Sequence, residues 1–178
     1  MPKFIIFPLF ICLALSSNAS NDFVEAGKAF NINPKLLWAI AYKESRFNAK
    51  AINRANKNKT YDIGIMQINS THLNKLEKEF GISEKHLFEN PRINIFVGAM
   101  ILRKCFDLYG ENEKGITCYN GLKKDNPYGK EVLKIIKNAE KNHQQKQTKQ
   151  IIKNYFKAEK ERLFVKAVRW LFASILSF

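Results

Sequence analysis

Two of the Asn-Pro pairs in this chain, each followed by apolar residues at helical spacing, constrain its fold more than any other feature. In the first pair Asn33 is a favoured N-cap, and Pro34 occupies the first helical turn, where its missing amide hydrogen removes no helical hydrogen bond. The residues that share one face at i, i+3, i+4 and i+7 spacing are Leu37, Ile40, Ala41 and Glu44. This pattern predicts a helix that buries the shared face and carries one carboxylic acid near its C-terminal end.

The second pair, Asn90-Pro91, predicts a longer helix that ends at Gly110. Its apolar stripe consists of Ile93, Phe96, Val97, Met100, Ile101 and Leu108. Shorter helices are predicted around residues 73–80 and 129–138, and the polar segment 53–62 is predicted to be a loop. No strand-length alternating run stands out in the sequence, although a small turn or hairpin fits residues 60–67. We therefore expect an all-α or nearly all-α domain.

The N-terminus has the three parts of an export signal. Lys3 precedes the apolar run 4–15, and the small residues Ser17 and Ala19 frame a signal-peptidase site. The apolar run is shorter than a membrane span requires. The sequence therefore predicts a signal peptide over 1–19, a folded domain over 20–139 and a tail over 140–178, in a protein exported to the periplasm.

Export determines how the cysteines are interpreted. Cys12 lies within the predicted signal peptide, so Cys105 and Cys118 remain in the exported chain. Two cysteines in an oxidising compartment favour a disulfide bond. Two buried free thiols are the alternative.

The net charge of +14 over 178 residues makes nucleic acid one ligand class to test against the sequence. The lysines and asparagines are scattered along the chain rather than grouped with aromatic residues, so we expect no nucleic-acid partner. Long-range attraction to an anionic cell wall or to lipid headgroups needs no specific site and is consistent with this charge.

The tail, residues 140–178, differs in composition from the rest of the chain. It carries nine basic residues against three acidic ones, and its end, 163–178, is apolar apart from Lys166, Arg169 and two serines. Basic amphipathic segments of this kind lie in a membrane interface or dock on a partner. The alternative is an amphipathic helix folded back on the preceding domain, and the sequence favours neither.

Glu44 is the first candidate for a catalytic group. It shares an apolar face near the C-terminal end of its predicted helix, so apolar surroundings and the partial negative charge of the helix end both disfavour its ionised form. A carboxyl group that keeps its proton near neutral pH can act as a general acid on a glycosidic oxygen. The alternative is a solvated glutamate paired with Lys43 or Arg46.

Two further segments supply groups that fit a sugar-binding groove around such an acid. Gly64-Ile65-Met66-Gln67 places a thioether and an amide beside a turn glycine, and these groups can shape a sugar subsite and bind an acetamido group. Tyr119-Asn120-Gly121 offers a phenol hydroxyl able to contact Glu44 or the substrate. Each segment alone is weak evidence, because Met and Tyr are more often core residues. Together they favour an enzyme that cleaves glycosidic bonds.

In this order, the segments resemble the soluble lytic transglycosylase domain, a family that shares the goose-type lysozyme fold. The resemblance covers about residues 23–132. It is carried by Glu44-Ser45-Arg46-Phe47-Asn48, Gly64-Ile65-Met66-Gln67-Ile68-Asn69, Asn94-Ile95 with Gly98-Ala99, and Tyr119-Asn120-Gly121. Within the family, Asp62-Ile63-Gly64 and the Cys105/Cys118 pair look like the small transglycosylases that accompany type III and type IV secretion systems.

The resemblance implies that Glu44 is the sole catalytic acid and base of a peptidoglycan lytic transglycosylase. It would protonate the bond between N-acetylmuramic acid and N-acetylglucosamine. It would then deprotonate the muramoyl C6 hydroxyl, which attacks the anomeric carbon and leaves a 1,6-anhydro end. A second carboxylate, which a two-carboxylate glycosidase requires, is not needed. The substrate-binding residues implied by analogy are Ser45, Met66, Gln67, Tyr119 and Asn120.

Two positions leave details of this scheme open. Asn53 stands where many relatives carry serine, and its amide would either contact the substrate or order the loop. Asp62 is predicted to cap the turn before Gly64. As a second carboxylate it would instead position a water molecule and make the enzyme a lysozyme-like hydrolase.

We expect neither a metal nor a cofactor. His72, His86 and His143 lack metal-ligand spacing, and the sequence contains no nucleotide-binding glycine loop. The predicted function is that of an exported peptidoglycan lytic transglycosylase, which opens the wall locally for a secretion apparatus and binds its proteins. The alternatives are a hydrolytic muramidase on the same fold and a wall-binding assembly protein with a vestigial site.

Overall fold

The computed structural model describes residues 19–175, with side-chain surroundings for residues 21–162. The predicted signal peptide, except for its last residue, therefore lies outside the described residues. The side chains of the apolar end of the tail, residues 163–178, lie outside them as well.

Most of the described chain is helical. The helices are α1 (Ala19–Phe30), α2 (Pro34–Ser45), α3 (Leu73–Phe80), α4 (Glu84–Glu89), α5 (Pro91–Tyr109), α6 (Glu113–Tyr119) and α7 (Tyr128–Ile175), with a 3-10 turn at Ser70–His72. Three two-residue strands form an antiparallel sheet in the order β1 (Ile52–Asn53), β2 (Asp62–Ile63) and β3 (Ile68–Asn69). The nearly all-α fold is therefore confirmed, and the hairpin expected around residues 60–67 is part of this small sheet.

Both predicted helix starts are confirmed by their cap hydrogen bonds. The side chain of Asn33 accepts from the amide of Lys35 at 2.9 Å, and that of Asn90 accepts from the amide of Ile93 at 3.2 Å. At the other end of α5, Gly110 has φ of 82°, a value that glycine adopts without strain. These ends are correctly predicted because capping is a local interaction.

Helix α5 lies at the centre of the domain and packs against α1, α2, α4 and α6. The largest fully buried side chains come from α2, the small sheet with its β2–β3 turn, α4, α5 and α7: Leu37, Ile40, Ile63, Met66, Ile68, Leu87, Asn94, Ile95, Leu102 and Val132. Because the sheet and the end of α2 share this core, the segments predicted to carry the site are fixed against one another.

Two features of the helices differ from the sequence prediction. Leu108, placed in the apolar stripe of α5, is 64% exposed. The last turn of α5 buries Cys105 and Phe106 against α6 instead, and Leu108 falls outside their side of the helix. Helix α7 does not end near residue 138 but continues to Ile175, because neither glycine nor proline interrupts the sequence after Gly129.

The predicted division at residue 140 falls inside α7, so the domain and the tail are parts of one helix there. Residues 141–158 of this helix are exposed. Within 19–175, no helix combines the length and the apolar character needed to cross a membrane.

Candidate active site

Glu44 lies in the last turn of α2 and lines a groove of about 840 Å³. Burial raises the pKa of its carboxyl group above the ordinary value, and the negative charge of Asp62 raises it further. The hydrogen bond from Tyr128 and the charge of Lys43 act in the opposite direction, but burial is the largest of these effects. The predicted general acid is therefore a shielded carboxyl group with access to a groove.

The phenol that contacts Glu44 belongs to Tyr128, the first residue of α7. Its hydroxyl donates a hydrogen bond to Oε1 of Glu44, and its side chain is only 3% exposed. Burial and the nearby Glu44 raise the pKa of Tyr128 far above its ordinary value, so the phenol remains a donor. Oε2 of Glu44 has no hydrogen-bond partner among the described residues and remains available to a ligand in the groove.

The sequence motifs of the site do not include Tyr128. Two local signals bear on this position. Asn126-Pro127 directly before it marks a helix start, and the side chain of Asn126 accepts from the amide of Tyr128 at 3.1 Å. Tyr128 also lies four residues before Val132, and this spacing places both buried residues on the same side of α7. This spacing predicts a core position but gives no indication that the hydroxyl reaches Glu44.

The cations next to Glu44 in sequence are engaged elsewhere. Nζ of Lys43 lies 2.5 Å from a carboxylate oxygen of Glu131 on α7. The guanidinium of Arg46 lies 4.2 Å from the centre of the Tyr42 ring. The alternative of a solvated Glu44 paired with either cation is therefore not what the structure shows.

A buried amide holds the turn 64–67 against α5. Oδ1 of Asn94 accepts from the amide of Met66 at 2.8 Å, and Nδ2 donates to the carbonyls of Ile63 at 2.9 Å and Leu87 at 3.0 Å. Gly64 has φ of 76°, and a Cβ atom there would lie 2.2 Å from Nδ2 of Asn94. Only glycine fits this close approach, which explains why the turn needs Gly64.

Met66 and Ser45 shape this turn rather than line the groove. Met66 is fully buried. It packs closely against Gly98 of α5, where an added Cβ atom would lie only 2.8 Å from Cε of Met66. Oγ of Ser45 donates to the carbonyl of Ile65 at 2.7 Å. Gln67 does line the groove, and its Nε2 donates to the carbonyl of Gly64 at 2.8 Å.

Tyr119 is the last residue of α6 and Asn120 its C-cap, and both line the groove together with residues of the small sheet. The hydroxyl of Tyr119 donates to the carbonyl of Met66 at 2.8 Å, so it supports the turn instead of contacting Glu44. The disulfide between Cys105 and Cys118 links α6 to α5, with 5.7 Å between the Cα atoms. The predicted disulfide is therefore confirmed, and it fixes the segment that precedes Tyr119.

Asp62 lies in β2 on the sheet side of the groove and does not cap the turn before Gly64. Its carboxylate accepts three side-chain amides instead, from Asn53 at 3.1 Å, Asn56 at 3.0 Å and Asn69 at 2.6 Å. Asn53 is exposed and does not line the groove itself, so its contact with Asp62 orders the loop. The structure thus places a second, oriented carboxylate in the groove with Glu44.

The three histidines are separated in space as in sequence. His72 lines the groove, His86 caps α4 and His143 lies on the exposed part of α7. In the part of the chain that the structure describes, no three His, Cys, Asp or Glu side chains are placed to hold a metal ion.

Comparison with known proteins agrees with this arrangement. Residues 22–152 match the family described as the transglycosylase SLT domain. The chain is 40% identical over 108 residues to invasion protein IagB of Salmonella typhimurium (strain SL1344), which covers 61% of this chain and 66% of that protein. It is 35% identical over 120 residues to protein IpgF of Shigella flexneri, which covers 67% of this chain and 76% of that protein.

A third relative is the X polypeptide of Escherichia coli (strain K12), 38% identical over 115 residues, with 63% of this chain and 67% of that protein covered. The chain spans just under two thirds of the length of IagB. Among solved structures, an inactive mutant of lytic transglycosylase Slt from Pseudomonas aeruginosa gives a TM-score of 0.47 at 21% identity, covering 65% of this chain and 20% of that one. A lysozyme from Litopenaeus vannamei gives 0.41 at 23% identity, covering 66% of this chain and 94% of that one.

The two solved structures are too distant to carry an argument. The family match, in contrast, extends over most of the chain and includes every residue described above in the groove. The family expected from the motifs is confirmed: this chain belongs to the transglycosylase SLT domain family.

Proposed function

We propose that the protein is a peptidoglycan lytic transglycosylase in which Glu44 is both the catalytic acid and the catalytic base. The observation that carries this proposal is the Glu44 carboxyl group, which is partly buried, held by Tyr128 through one oxygen and open to the groove through the other. A raised pKa gives such a group the proton that it must donate.

In the first step, Glu44 donates its proton to the oxygen that links N-acetylmuramic acid to N-acetylglucosamine. The bond from the muramoyl C1 to that oxygen breaks, and the N-acetylglucosamine leaves with a free 4-hydroxyl group. Positive charge develops at C1, and the newly ionised Glu44 lies beside it.

In the second step, the Glu44 carboxylate accepts the proton of the muramoyl C6 hydroxyl as O6 forms a bond to C1. The product is a 1,6-anhydro end, no water is consumed, and Glu44 regains its proton. One carboxyl group serves both steps, so Tyr128 must hold Glu44 in place throughout. The phenol can do so because it stays a neutral donor.

Digestion of purified sacculi with the exported chain, followed by mass analysis of the muropeptides, tests the proposal. We expect anhydro ends from the wild type and a loss of about a hundredfold or more in Glu44→Gln, because a positioned general acid contributes that much. Glu89→Gln, which changes an exposed carboxylate outside the groove lining, is the matched control. Wild-type turnover in Glu44→Gln would refute the role of Glu44.

A second candidate function is hydrolysis by the same groove, and the position of Asp62 favours it. Two carboxylates in one groove match the requirement of a two-carboxylate glycosidase. If Asp62 positioned an attacking water, the products would carry reducing muramic ends and Asp62→Asn would abolish their release. We expect anhydro ends from both the wild type and Asp62→Asn, because the muramoyl O6, and not a water molecule, attacks C1.

A third function, from another class, is that of a wall-binding assembly protein without catalysis. It requires that the wild type and Glu44→Gln are equally inactive on sacculi while both still bind them. Cosedimentation with sacculi measures binding separately from turnover, so the two experiments together distinguish this function from the enzyme.

We infer that the protein acts at the periplasmic wall in support of a secretion apparatus. The predicted export signal and the similarity to a protein named as an invasion protein support this inference. Cell fractionation with a fusion that retains residues 1–19 tests the export, and recovery of the chain in the cytoplasm would overturn it.

We also infer that the tail contacts an anionic membrane surface. In the described part of the tail, only its start contacts the domain, where Glu140 lies 2.7 Å from Lys35 of α2. Residues 141–158 are exposed, and the large apolar side chains among them are Ile151, Ile152, Tyr155 and Phe156. They alternate along α7 with basic residues, which suits an interfacial helix. Flotation of the exported chain with anionic vesicles, compared with zwitterionic ones, tests the contact; absence from both floated fractions would refute it.

A further inference from the structure

A narrow apolar trough continues the candidate groove between α3 and α5. His72 and Ile101 line both the groove and the trough, so the two cavities adjoin at these side chains. The trough has a volume of about 160 Å³. Its apolar lining consists of Leu76, Phe80, Met100 and Ile101. A ligand bound in the groove therefore has a second surface within reach.

Two lysines stand on opposite sides of this trough. Lys75 belongs to α3 and Lys104 to α5, and both line the trough. His72 lines the trough together with both lysines. Burial lowers the pKa of His72 below its ordinary value, and the charges of Lys104 and Lys75 lower it further.

These cations are only weakly neutralised by the protein. Lys75 lies 3.7 Å from Glu79, with both side chains more than half exposed, and such surface pairs contribute little. Lys104 forms no ion pair with any carboxylate of the described side chains. Glu79 also lines the trough, so the rim carries two cations and one carboxylate, a net charge of +1 above an apolar floor.

We propose that this trough binds the peptide stem of peptidoglycan while the glycan strand occupies the groove. The stem is attached to the lactyl group of the muramic acid and carries small apolar side chains together with carboxylates. The apolar floor accommodates the small side chains of the stem, and Lys75 and Lys104 attract its carboxylates. The proposal rests on the proposed function and adds a substrate class, stem-bearing glycan in preference to stripped glycan.

A further sugar subsite fits the trough less well. Sugar rings present hydroxyl groups around their edge, and burying these without hydrogen-bond partners is unfavourable. The trough lining offers few polar groups besides its charged rim. The position of the trough beside the groove and the charge of the rim thus favour an anionic peptide over more glycan.

The test compares Lys75→Ala/Lys104→Ala with Lys78→Ala/Lys85→Ala, a pair that removes the same charge from exposed lysines outside the groove and trough. The substrates are intact sacculi and glycan strands stripped of their stems by an amidase. We expect the first variant to lose about three- to tenfold in kcat/KM on sacculi, the size of two partly exposed ion pairs, and little on stripped strands. The control variant should behave like the wild type on both, apart from a general effect of charge.

Equal losses on the two substrates, or no loss on either, would overturn the stem proposal while leaving the proposed function intact. A wild type that releases no anhydro ends from either substrate would instead refute the proposed function. Binding of the stem can be measured even without turnover, because an anion bound between the two lysines must raise the pKa of His72.

NMR titration of the imidazoles with a soluble stem tripeptide supplies that readout. We expect the pKa of His72 to rise on addition of the tripeptide, while His86 and His143, which lie outside the trough, serve as internal controls. The rise should be absent in Lys75→Ala/Lys104→Ala. An unchanged His72 in the wild type at saturating tripeptide would also count against the proposal.

Discussion

The hydroxyl of Tyr128 donates a hydrogen bond to Oε1 of Glu44, although 84 positions of sequence separate the two residues. The bond joins the last turn of α2 to the first residue of α7. It orients the carboxyl group so that the other oxygen remains available to the groove. Lys43 and Glu131 form a second link between the same two helices, at 2.5 Å.

Replacing this phenol should change both the rate and its pH dependence. In Tyr128→Phe, Glu44 loses the hydrogen bond that lowers its pKa. The alkaline limb of the pH–rate profile should therefore move to higher pH, because the protonated acid persists longer. Without this hydrogen bond the carboxyl group is less well positioned, so we also expect kcat to fall about tenfold to a hundredfold. Kinetics on sacculi across pH measure both effects.

Tyr119→Phe is the matched control for that experiment. It removes a hydroxyl of the same groove, but one that donates to the carbonyl of Met66 rather than to Glu44. Its alkaline limb should stay in place even if the rate falls. A shift of equal size in both variants would contradict the assignment of Tyr128.

The partly buried carboxyl group of Glu44 should make the free energy of unfolding depend on pH with a definite sign. The pKa of Glu44 is raised in the folded protein from a reference value of 4.5. Because the pKa of Glu44 is higher in the folded protein, the stability that this residue contributes is fully present below pH 4.5. That contribution is lost as the pH rises through the pKa of the folded state.

Urea unfolding of the wild type and Glu44→Gln over a pH series measures this loss. The stability of the wild type relative to the variant should fall by about 1.4 kcal/mol for each unit by which the pKa is raised, and then level off. A difference that stays constant from acid to neutral pH would show that Glu44 is not shielded.

Asn94 should be among the most sensitive positions for stability. Its side chain is fully buried and forms hydrogen bonds to three backbone groups, so Asn94→Ala leaves them without partners. We expect a loss of about 3 kcal/mol in the free energy of unfolding. Asn74→Ala, at an exposed position of α3, is the control. Equal stability of the two variants would mean that the turn 64–67 holds its shape without this amide.

Removal of the disulfide should destabilise the domain with little effect on the chemistry. Cys105 and Cys118 are 13 residues apart, so Cys105→Ser/Cys118→Ser should lose about 3 kcal/mol by the loop-entropy estimate. Reduction of the wild type should give a similar loss, whereas the double variant should not respond to reductant. A wild type whose two thiols are freely alkylated without reductant would contradict the bond.

Much of the fold could be predicted because its signals are local. Asn33 and Asn90 cap the helices that they were expected to start, since the cap hydrogen bonds reach only two or three residues. Leu108 was misplaced because apolar periodicity alone does not show where a neighbouring helix ends. The length of α7 was underestimated, although the absence of glycine and proline after Gly129 predicts it.

The site was predicted in part, and the errors have one physical cause. Glu44 could be selected because its helix face and helix end are read from nearby residues. The motif predicts that the phenol beside Glu44 is Tyr119. The hydroxyl of Tyr119 instead donates to the carbonyl of Met66, and the phenol that contacts Glu44 is Tyr128 of another helix. The sequence gives no link between Asn53 and Asp62. The register of the sheet places them opposite each other, so the amide of Asn53 donates to the carboxylate of Asp62.

The sequence by itself determined the helical architecture, the family and the acid on which the proposed chemistry depends, because caps, periodicity and motifs act over short stretches of chain. Only the tertiary structure decided which groups surround that acid. Side-chain hydrogen bonds and burial depend on how α2, α7 and the small sheet meet. The partners of Glu44 and Asp62 therefore follow from packing between segments that are distant in the sequence.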